Sequence, residues 1–196
     1  MGKLVYSMLT SLDGYVNDAD GRFEWAAPDE ELHAYINTVS RSVGTCLLGR
    51  RMYETMVFWE DPESVRGEPP VMEEYAEIWQ GYDKVVYSST LADVSSARTR
   101  IERTFDADAV RALKAATELN LSIDGPTLAG HALRAGLVDE LHVYVCPVVV
   151  GGGTAFYPAG VRLDLELLEE RAFDGGALSL RYAVGTWREG LAPSGE

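Results

Sequence analysis

The sequence predicts a three-layer α/β fold, in which a mixed, mostly parallel sheet is flanked by helices and ends in an antiparallel hairpin. Short apolar segments alternate with amphipathic segments as far as Leu137, which is the pattern of parallel strands joined by crossover helices. Strand-like segments dominate afterwards, and Asp174-Gly175-Gly176 separates two of them, as expected of a hairpin turn. We expect one domain over residues 1–187 and a flexible polar tail over residues 188–196.

Composition and charge narrow the class of protein. The chain has 196 residues, of which 46% are hydrophobic and 24% charged, as in a soluble globular domain. Its net charge of −14 argues against nucleic acid or an anionic membrane as a partner. We find no apolar run of the roughly 18 residues that span a membrane. The N-terminal segment is too polar for a signal peptide, so we expect a cytoplasmic protein.

The first strand is predicted at Lys3–Leu9, where β-branched and aromatic residues are frequent. The next segment, Thr10–Gly21, is rich in turn residues and should be a loop. Its Asp13-Gly14 is a typical turn dipeptide. However, Asp13 also follows the carboxyl end of a strand, where α/β proteins place ligand contacts. A structural role and a functional role therefore both remain open for Asp13.

An amphipathic helix is predicted at Pro28–Val43. Proline suits a first helical turn, and the acids after it, including Glu31, favour the positive end of the helix dipole. Apolar residues recur with the period of a helix and define one buried face, namely Leu32, Tyr35, Ile36 and Val39.

Two arginines at a strand-to-helix junction indicate an anion site. Thr45–Leu48 is a short apolar strand, and Gly49-Arg50-Arg51 leads from it into a predicted helix at Met52–Trp59. Two cations at the positive end of a helix are unfavourable unless water or an anion compensates them. The guanidinium fork of arginine matches two phosphate oxygens, so the anion is the favoured interpretation.

The middle of the chain continues the alternation of helices and strands. The predicted elements are a Pro-rich loop at 60–70, a helix at Val71–Gln80, a strand at Lys84–Tyr87, an edge strand at Thr99–Thr104 and a helix with Asp106 as its N-cap. Three hydroxyl residues, Ser88, Ser89 and Thr90, follow the strand that ends at Tyr87. They suit phosphate binding and turn capping equally well.

A strand, a glycine turn, a helix and a long strand that ends in the three glycines 151–153 follow one another between Leu121 and Pro158. The turn at Gly125-Pro126 should present backbone N–H groups to a phosphate. It lacks the Lys and Ser/Thr of a P-loop, and the chain has no G-x-G-x-x-G, so neither a Mg–nucleoside triphosphate site nor a Rossmann turn is expected. The histidines and cysteines lack metal-ligand spacing, and we expect no metal.

Five aromatic residues are candidate walls of a pocket for a planar substrate: Tyr15, Trp25, Tyr53, Trp59 and Phe156. Ordinary core packing is the alternative interpretation for each of them.

Five motifs occur in an order that resembles the dihydrofolate reductase-like superfamily. They are SLDG (11–14), LLGRRMYE (47–54), YSST (87–90), GPTLAGHALRAGLVDEL (125–141) and PVVVGGGTAF (147–156). Within that superfamily the chain is most similar to the C-terminal reductase domain of riboflavin-biosynthesis deaminase-reductases and to its stand-alone bacterial relatives. The motifs extend over most of the chain.

The resemblance implies an NADPH-dependent reductase that transfers hydride to a small heteroaromatic, pterin-like or aminopyrimidine-like substrate, and that forms a homodimer. The positions that match the cofactor groove of the family are Gly49, Arg50 and Arg51 for the phosphates, Ser88, Ser89 and Thr90 for the adenosine 2′-phosphate, Gly125, Pro126, Thr127 and Leu128 for the pyrophosphate, and Gly151, Gly152 and Gly153 for the nicotinamide side. A non-catalytic nucleotide- or ligand-binding protein on the same fold is the alternative.

The catalytic acid is not defined by the motifs. Asp13 and Glu31 are the candidate proton donors, and Glu31 lies near the position of the dihydrofolate reductase acid. The chain departs from the resemblance at Asp124, because the family has two adjacent glycines where this sequence has Asp124-Gly125. A carboxylate beside a pyrophosphate would be repelled, so Asp124 either points away from the cofactor or weakens its binding.

Overall fold

An eight-stranded sheet is the centre of the computed structural model, which describes residues 1–185 and the backbone of 188–189. The strands in chain order are β1 (Leu4–Thr10), β2 (Tyr15–Asn17), β3 (Val43–Gly49), β4 (Asp83–Tyr87), β5 (Thr99–Glu102), β6 (Asn120–Asp124), β7 (Glu140–Val145), β8 (Thr154–Ala155), β9 (Val161–Arg162), β10 (Leu165–Ala172), β11 (Leu178–Val184) and β12 (Arg188–Glu189). The predicted tail at 188–196 otherwise lies outside the described residues, as do the last two residues of the predicted domain.

Five α-helices connect these strands within the described residues: α1 (Glu30–Ser40), α2 (Arg50–Met56), α3 (Pro70–Gly81), α4 (Ala107–Ala116) and α5 (Pro126–Arg134). Short 3₁₀ helices lie at Glu24–Ala26, Val57–Glu60 and Pro62–Val65, so part of the predicted loop at 60–70 is helical. None of the described helices is long and apolar enough to cross a membrane.

The main sheet has the order β10-β11-β7-β1-β6-β3-β4-β5. The pairs from β7 to β5 are parallel, whereas β11 is antiparallel to both β7 and β10. This arrangement confirms the predicted mixed sheet with a C-terminal antiparallel hairpin, and it places β5 at an edge as expected. Two small sheets, β2–β8 and β9–β12, were not predicted because two- and three-residue strands have no periodicity.

Side chains that alternate along each strand give the sheet two buried faces. Leu4 and Tyr6 of β1 pack with Val110 of α4 and Ala129 of α5 on one face. On the opposite face, a second cluster joins β3 to α2 and α3 through Cys46, Leu48, Tyr53 and Trp79, and a third joins α1 to β7 through Leu32 and Tyr144. Helices on both faces therefore produce the predicted three layers.

Aspartate residues cap two helices, of which only the cap Asp106 was predicted. The helix predicted at Pro28–Val43 is shorter, Glu30–Ser40, so Pro28 precedes its N-cap instead of lying in its first turn. Asp29 is the N-cap of α1 and accepts a hydrogen bond from the Leu32 amide at 2.9 Å. Asp106 caps α4 and accepts from the amides of Asp108 and Ala109 at 2.9 and 3.3 Å. The start of α2 differs from the prediction, because Arg50 and Arg51 lie inside its first turn rather than before it.

We predict that Asp106→Ala lowers the free energy of unfolding by about 1 kcal/mol, since two amides of α4 lose their acceptor. Urea denaturation followed by circular dichroism measures this change. Asp108→Ala is the matched control, because Asp108 lies in the same turn with a side chain that is 89% exposed and pairs with Arg111. A surface pair of this kind contributes less. Equal losses in both variants would contradict the capping role.

Candidate functional site

The three turns predicted to bind phosphate lie side by side at the carboxyl edge of the sheet. β3 ends at Gly49, which is opposite Tyr87, the last residue of β4. Leu48 of β3 is opposite Asp124, the last residue of β6. Because these strands are parallel, the turns at 49–51, 88–90 and 125–128 all start from one edge.

Direct contacts join these turns into one wall. The Arg50 side chain donates from Nη1 to Oγ1 of Thr90 at 2.9 Å and from Nε to Oε1 of Glu54 at 2.7 Å. Gly49 faces α5, since a Cβ atom built on it would lie 3.9 Å from Cβ of Leu128. The structure therefore brings together predicted residues that are far apart in the sequence.

The beginning of α5 has the features of an anion site. Gly125 is its N-cap and has a φ of +97°, which L side chains rarely adopt, and no side chain caps the helix. Pro126 has no N–H, so the amides of Thr127 and Leu128 are the first that can donate to a ligand. Backbone N–H groups at a helix N-terminus favour an anion both by hydrogen bonding and through the helix dipole.

The hydroxyl residues after β4 divide into two roles. Ser88 is buried, and its Oγ accepts from the amides of Thr90 at 3.3 Å and Leu91 at 3.0 Å, so it stabilises the turn. Ser89 and Thr90 are exposed and keep their hydroxyls at the surface of the edge. Arg103, which no motif indicated, donates from Nη1 to the carbonyls of Ser88 and Leu91 and adds a third arginine here.

Asp13 holds the glycine-rich loop rather than a substrate. Its carboxylate accepts from the amides of Val150 at 3.2 Å and Gly151 at 2.8 Å. A hydrogen bond from the Ser11 side chain, together with these amides, lowers the pKa of Asp13. An acid that is ionised and engaged in this way is a poor proton donor at neutral pH, which argues against the catalytic interpretation of Asp13.

The loop of Gly151, Gly152 and Gly153 lies against the loop that follows β1. Asn17 Oδ1 accepts from the Thr154 amide at 3.0 Å, next to the pairing of β2 with β8. At Gly153, where φ is +136°, a Cβ atom would lie 1.9 Å from the Asn17 carbonyl oxygen. Only glycine therefore permits this close approach of two backbone segments.

Glu31 connects α1 to the C-terminal hairpin. Its Oε1 accepts from Nη2 of Arg171 at 3.0 Å, and its Oε2 accepts from the amide of Asp174 at 3.2 Å. Both oxygens are thus engaged with residues at the β10–β11 turn. This ion pair gives Glu31 a structural role, and it argues against the prediction that Glu31 is the catalytic acid.

Two of the predicted pocket aromatics are core residues. Phe156 is fully buried and stacks on Tyr6, with ring centroids 4.2 Å apart and planes 7° apart. Tyr53 is 4% exposed, and its hydroxyl accepts from the amides of Ser95 and Ser96 at 2.9 and 3.2 Å. Neither side chain has surface to offer a substrate, so the structure corrects both assignments in favour of packing.

The other three predicted aromatics keep exposed surface. Trp59 is half-buried and packs edge-on against Tyr75, with ring centroids 4.9 Å apart, and His33 completes this cluster. Trp25 donates from Nε1 to the Arg22 carbonyl at 3.2 Å, and Tyr15 lies in β2 opposite Ala155. All three remain candidate pocket residues.

Asp124 points away from the predicted pyrophosphate turn. Its Oδ2 accepts from Oγ of Ser122 at 2.9 Å, so both side chains are on one face of β6. Ile123, between them, packs on the opposite face in the cluster that includes Leu128 of α5. Asp124 keeps some exposed surface, but its carboxyl group is buried. This burial raises the pKa of Asp124 to about 7, although the hydrogen bond from Ser122 lowers the pKa in part.

Among the residues that the structure describes, no cluster of side chains suits a metal ion.

We predict that Asp124→Asn stabilises the protein above pH 7. The folded-state pKa lies above the usual 3.8, so the folded protein holds a proton that the unfolded chain releases, and wild-type stability falls between about pH 4 and pH 7. The variant avoids this loss in the free energy of unfolding, which is at most about 4 kcal/mol at pH 8. Urea titrations at pH 5 and pH 8 measure the difference.

Asp13→Asn is the control of opposite sign, because the pKa of Asp13 is lowered by folding. Its carboxylate stabilises the fold at neutral pH, and this contribution is lost as the pH falls through the folded-state pKa. The variant should therefore be less stable than wild type at pH 8. An Asp124→Asn protein that is no more stable than wild type at pH 8 would show that Asp124 is ionised without penalty.

Two solved structures share this fold over nearly the whole chain. A pyrimidine reductase-like protein from Corynebacterium diphtheriae is 13% identical with a TM-score of 0.62, and the match covers 94% of this chain and 92% of that one. A diaminohydroxyphosphoribosylaminopyrimidine deaminase/5-amino-6-(5-phosphoribosylamino)uracil reductase from Thermotoga maritima is 12% identical with a TM-score of 0.64, covering 94% and 57%. Identities this low establish the fold alone.

Sequence comparison adds the family. The riboflavin biosynthesis protein RibD of Mycobacterium tuberculosis is 29% identical over 165 residues, which are 76% of this chain and 43% of RibD. This chain therefore spans less than half the length of that relative. The RibD C-terminal domain matches residues 2–179, almost the entire described part of the chain. The chain belongs to the RibD C-terminal domain family.

Proposed function

We propose that this protein is a cytoplasmic, NADPH-dependent reductase that transfers hydride to a small heteroaromatic compound of the pterin or aminopyrimidine type. The observation that carries the proposal is the convergence of three turns at one edge, joined by the hydrogen bond from Arg50 to Thr90. Membership of a family of reductase-like domains supports the same reaction class.

The residues at this edge fit a dinucleotide with a 2′-phosphate. The uncapped start of α5 provides the amides of Thr127 and Leu128 for a pyrophosphate. Arg50, together with Thr90, would hold the 2′-phosphate. Within the described residues the guanidinium of Arg51 makes no hydrogen bond or ion pair, so it is available to a second phosphate oxygen. When bound, NADPH supplies the hydride.

Local charge also favours this assignment. The chain as a whole has a net charge of −14, which repels anions. Three arginines nevertheless lie at or beside the three turns: Arg50, Arg51 and Arg103. Concentrating cations at one edge of an acidic protein is explained most simply by an anionic ligand at that edge.

The substrate class rests on the walls of the site and on one relative. Tyr15 and Trp59 provide half-buried rings that suit a planar compound. The Thermotoga maritima protein is named as a reductase of a phosphoribosylamino-uracil, which is an aminopyrimidine. An aminopyrimidine or a related bicyclic pterin is therefore the class to test first.

We predict that NADPH binds more tightly than NADH, and that Arg50→Ala weakens NADPH binding by roughly tenfold or more, because a charge-assisted contact is lost. Titration monitored by the fluorescence of the reduced nicotinamide measures both affinities. Arg66→Ala is the control, since Arg66 pairs with Glu63 outside the three turns. Equal weakening of NADPH and NADH by Arg50→Ala would contradict a 2′-phosphate contact, and no binding at millimolar NADPH would exclude the reductase.

A non-catalytic nucleotide-binding protein is the alternative, and the engagement of Asp13 and Glu31 in structural contacts favours it. The distinguishing experiment is NADPH oxidation, followed by absorbance, with a panel of pterins and aminopyrimidines. Reduction of any member supports the reductase. Tight NADPH binding without reduction of any member would support the alternative.

We also propose that the protein is a homodimer formed through β10. This strand is at the edge of the main sheet, and Leu165, Leu167 and Leu168 are 39%, 49% and 46% exposed there. An edge strand with exposed leucines favours pairing with a second copy. Sedimentation equilibrium should give a dimer, and Leu167→Glu should shift it towards monomer, whereas Phe23→Glu, at a residue with similar exposure, should not. A wild-type monomer at micromolar concentration would contradict this arrangement.

A further inference from the structure

We propose that Asp124 is the acid that protonates the substrate, an inference that rests on the proposed reductase function. The two acids suggested by sequence, Asp13 and Glu31, are held in structural contacts, so the role of proton donor is open to another residue. Asp124 lies at the sheet edge where the three predicted cofactor turns converge, and it belongs to none of the family motifs described above.

The position of Asp124 is central. β6 lies between β1 and β3 in the middle of the parallel strands, and Asp124 is its last residue. The next residue, Gly125, is the N-cap of α5, where the pyrophosphate is expected. A group at this point is one residue from the proposed cofactor site, yet its side chain is directed to the other face of the sheet.

That other face is the one on which Trp59, one of the candidate pocket residues, packs. Ser122 and Asp124 both lie on this face, because they are two residues apart in β6 and their side chains form a hydrogen bond. Cys46 of β3 lies on it as well, in the cluster that Trp59 and Tyr75 pack against. The carboxyl group therefore faces the aromatic cluster rather than the phosphates.

The two oxygens of Asp124 have different environments. Oδ2 accepts from Oγ of Ser122, which fixes the rotamer of the side chain. Within the described part of the chain, Oδ1 has no hydrogen-bond partner. An oriented carboxyl group with one unoccupied oxygen is the arrangement that a general acid needs, since that oxygen can carry the proton to a substrate atom.

The titratable groups around Asp124, which lie on both faces of the sheet, are uncharged. The titratable side chains that are electrostatically coupled to it are Tyr6 on β1, Cys46 on β3, Tyr75 on α3 and Tyr82 after α3. Burial raises the pKa of each, so all four are uncharged at neutral pH. No cation in the described residues pairs with Asp124. On α2, the Arg50 side chain is directed to Glu54 and Thr90 instead.

Asp124 also differs from the other acids of the described residues. Where the pKa of an aspartate or glutamate is shifted, it is lowered at Asp13, Glu74, Glu140 and Glu169, each of which accepts hydrogen bonds, and it is raised at Asp124 alone. A carboxyl group that retains its proton near pH 7 suits proton donation at physiological pH.

The proton transfer completes a balanced reduction. The carbon of a substrate C=N bond would receive hydride from the dihydronicotinamide, which would be oxidised to the nicotinamide cation, and the π electrons would move onto nitrogen. The O–H bond of Asp124 breaks as the N–H bond forms, which leaves a carboxylate. A proton from the solvent restores the carboxyl group before the next turnover. The substrate class is thus a heteroaromatic compound or imine with an acceptor nitrogen beside the reducible carbon.

The first test measures the proton on Asp124 without any substrate. Carboxyl ¹³C NMR of aspartate-labelled protein should show a resonance with a midpoint near pH 7, which Asp124→Asn removes and Asp108→Asn retains. Ser122→Ala should move the midpoint to higher pH, because the hydrogen bond that favours the charged form is lost. A midpoint below about pH 5 would overturn the inference, since the group would already be ionised.

The second test uses NADPH oxidation with the panel of pterins and aminopyrimidines. Wild-type kcat should fall above pH 7, and Ser122→Ala should shift this limb to higher pH. Asp124→Asn should lower kcat by about 10²- to 10⁴-fold while NADPH affinity and the far-UV spectrum are retained. Wild-type turnover by Asp124→Asn would overturn the role of Asp124 and leave the reductase intact. Failure of wild-type protein to bind NADPH would instead remove the proposed function.

Discussion

Parallel pairing of β1, β6, β3 and β4 forces their carboxyl ends onto one edge of the sheet, and the candidate site depends on this constraint. Each strand is followed at that edge by a loop or a helix start, so turns that are distant in the chain become neighbours. The hydrogen bond from Arg50 to Thr90 links two of these turns across 40 positions of sequence. Remote motifs can therefore form one continuous wall without any long-range signal in the sequence.

Sequence reasoning predicted the features that have a local physical cause. The fold class followed from the alternation of elements, the start of α4 from the capping residue Asp106, and the final hairpin from Asp174-Gly175-Gly176. Two-residue strands such as β8 have no periodicity, so they could not be predicted. Likewise, β7 ends at Val145 and not at the three glycines, because an apolar run such as that at 148–150 does not by itself distinguish a strand from an extended loop.

The functional residues also divide into those with a local signal in the sequence and those without one. Glycines and arginines at strand ends were identified because backbone geometry and fixed charge are local properties. The roles of acids were not, because a carboxyl group is defined by its partners. Asp13 meets the amides of Val150 and Gly151, and Glu31 meets Arg171, all more than 130 positions away. The one available signal was the i, i+2 spacing of Ser122 and Asp124, which places both on one face of a strand.

The buried carboxyl group of Asp124 lowers the stability of the fold, although the same burial suits it to donate a proton. Withdrawing a carboxyl group from water with a single hydroxyl partner disfavours its charged form, and the folded state bears that cost above neutral pH. A nearby lysine or arginine would remove the cost, but it would also lower the pKa and abolish the acid. The neutral tyrosines and thiol around Asp124 preserve the proton instead. Strand alternation meanwhile directs the group away from the start of α5, so a residue that could repel a pyrophosphate is compatible with binding one.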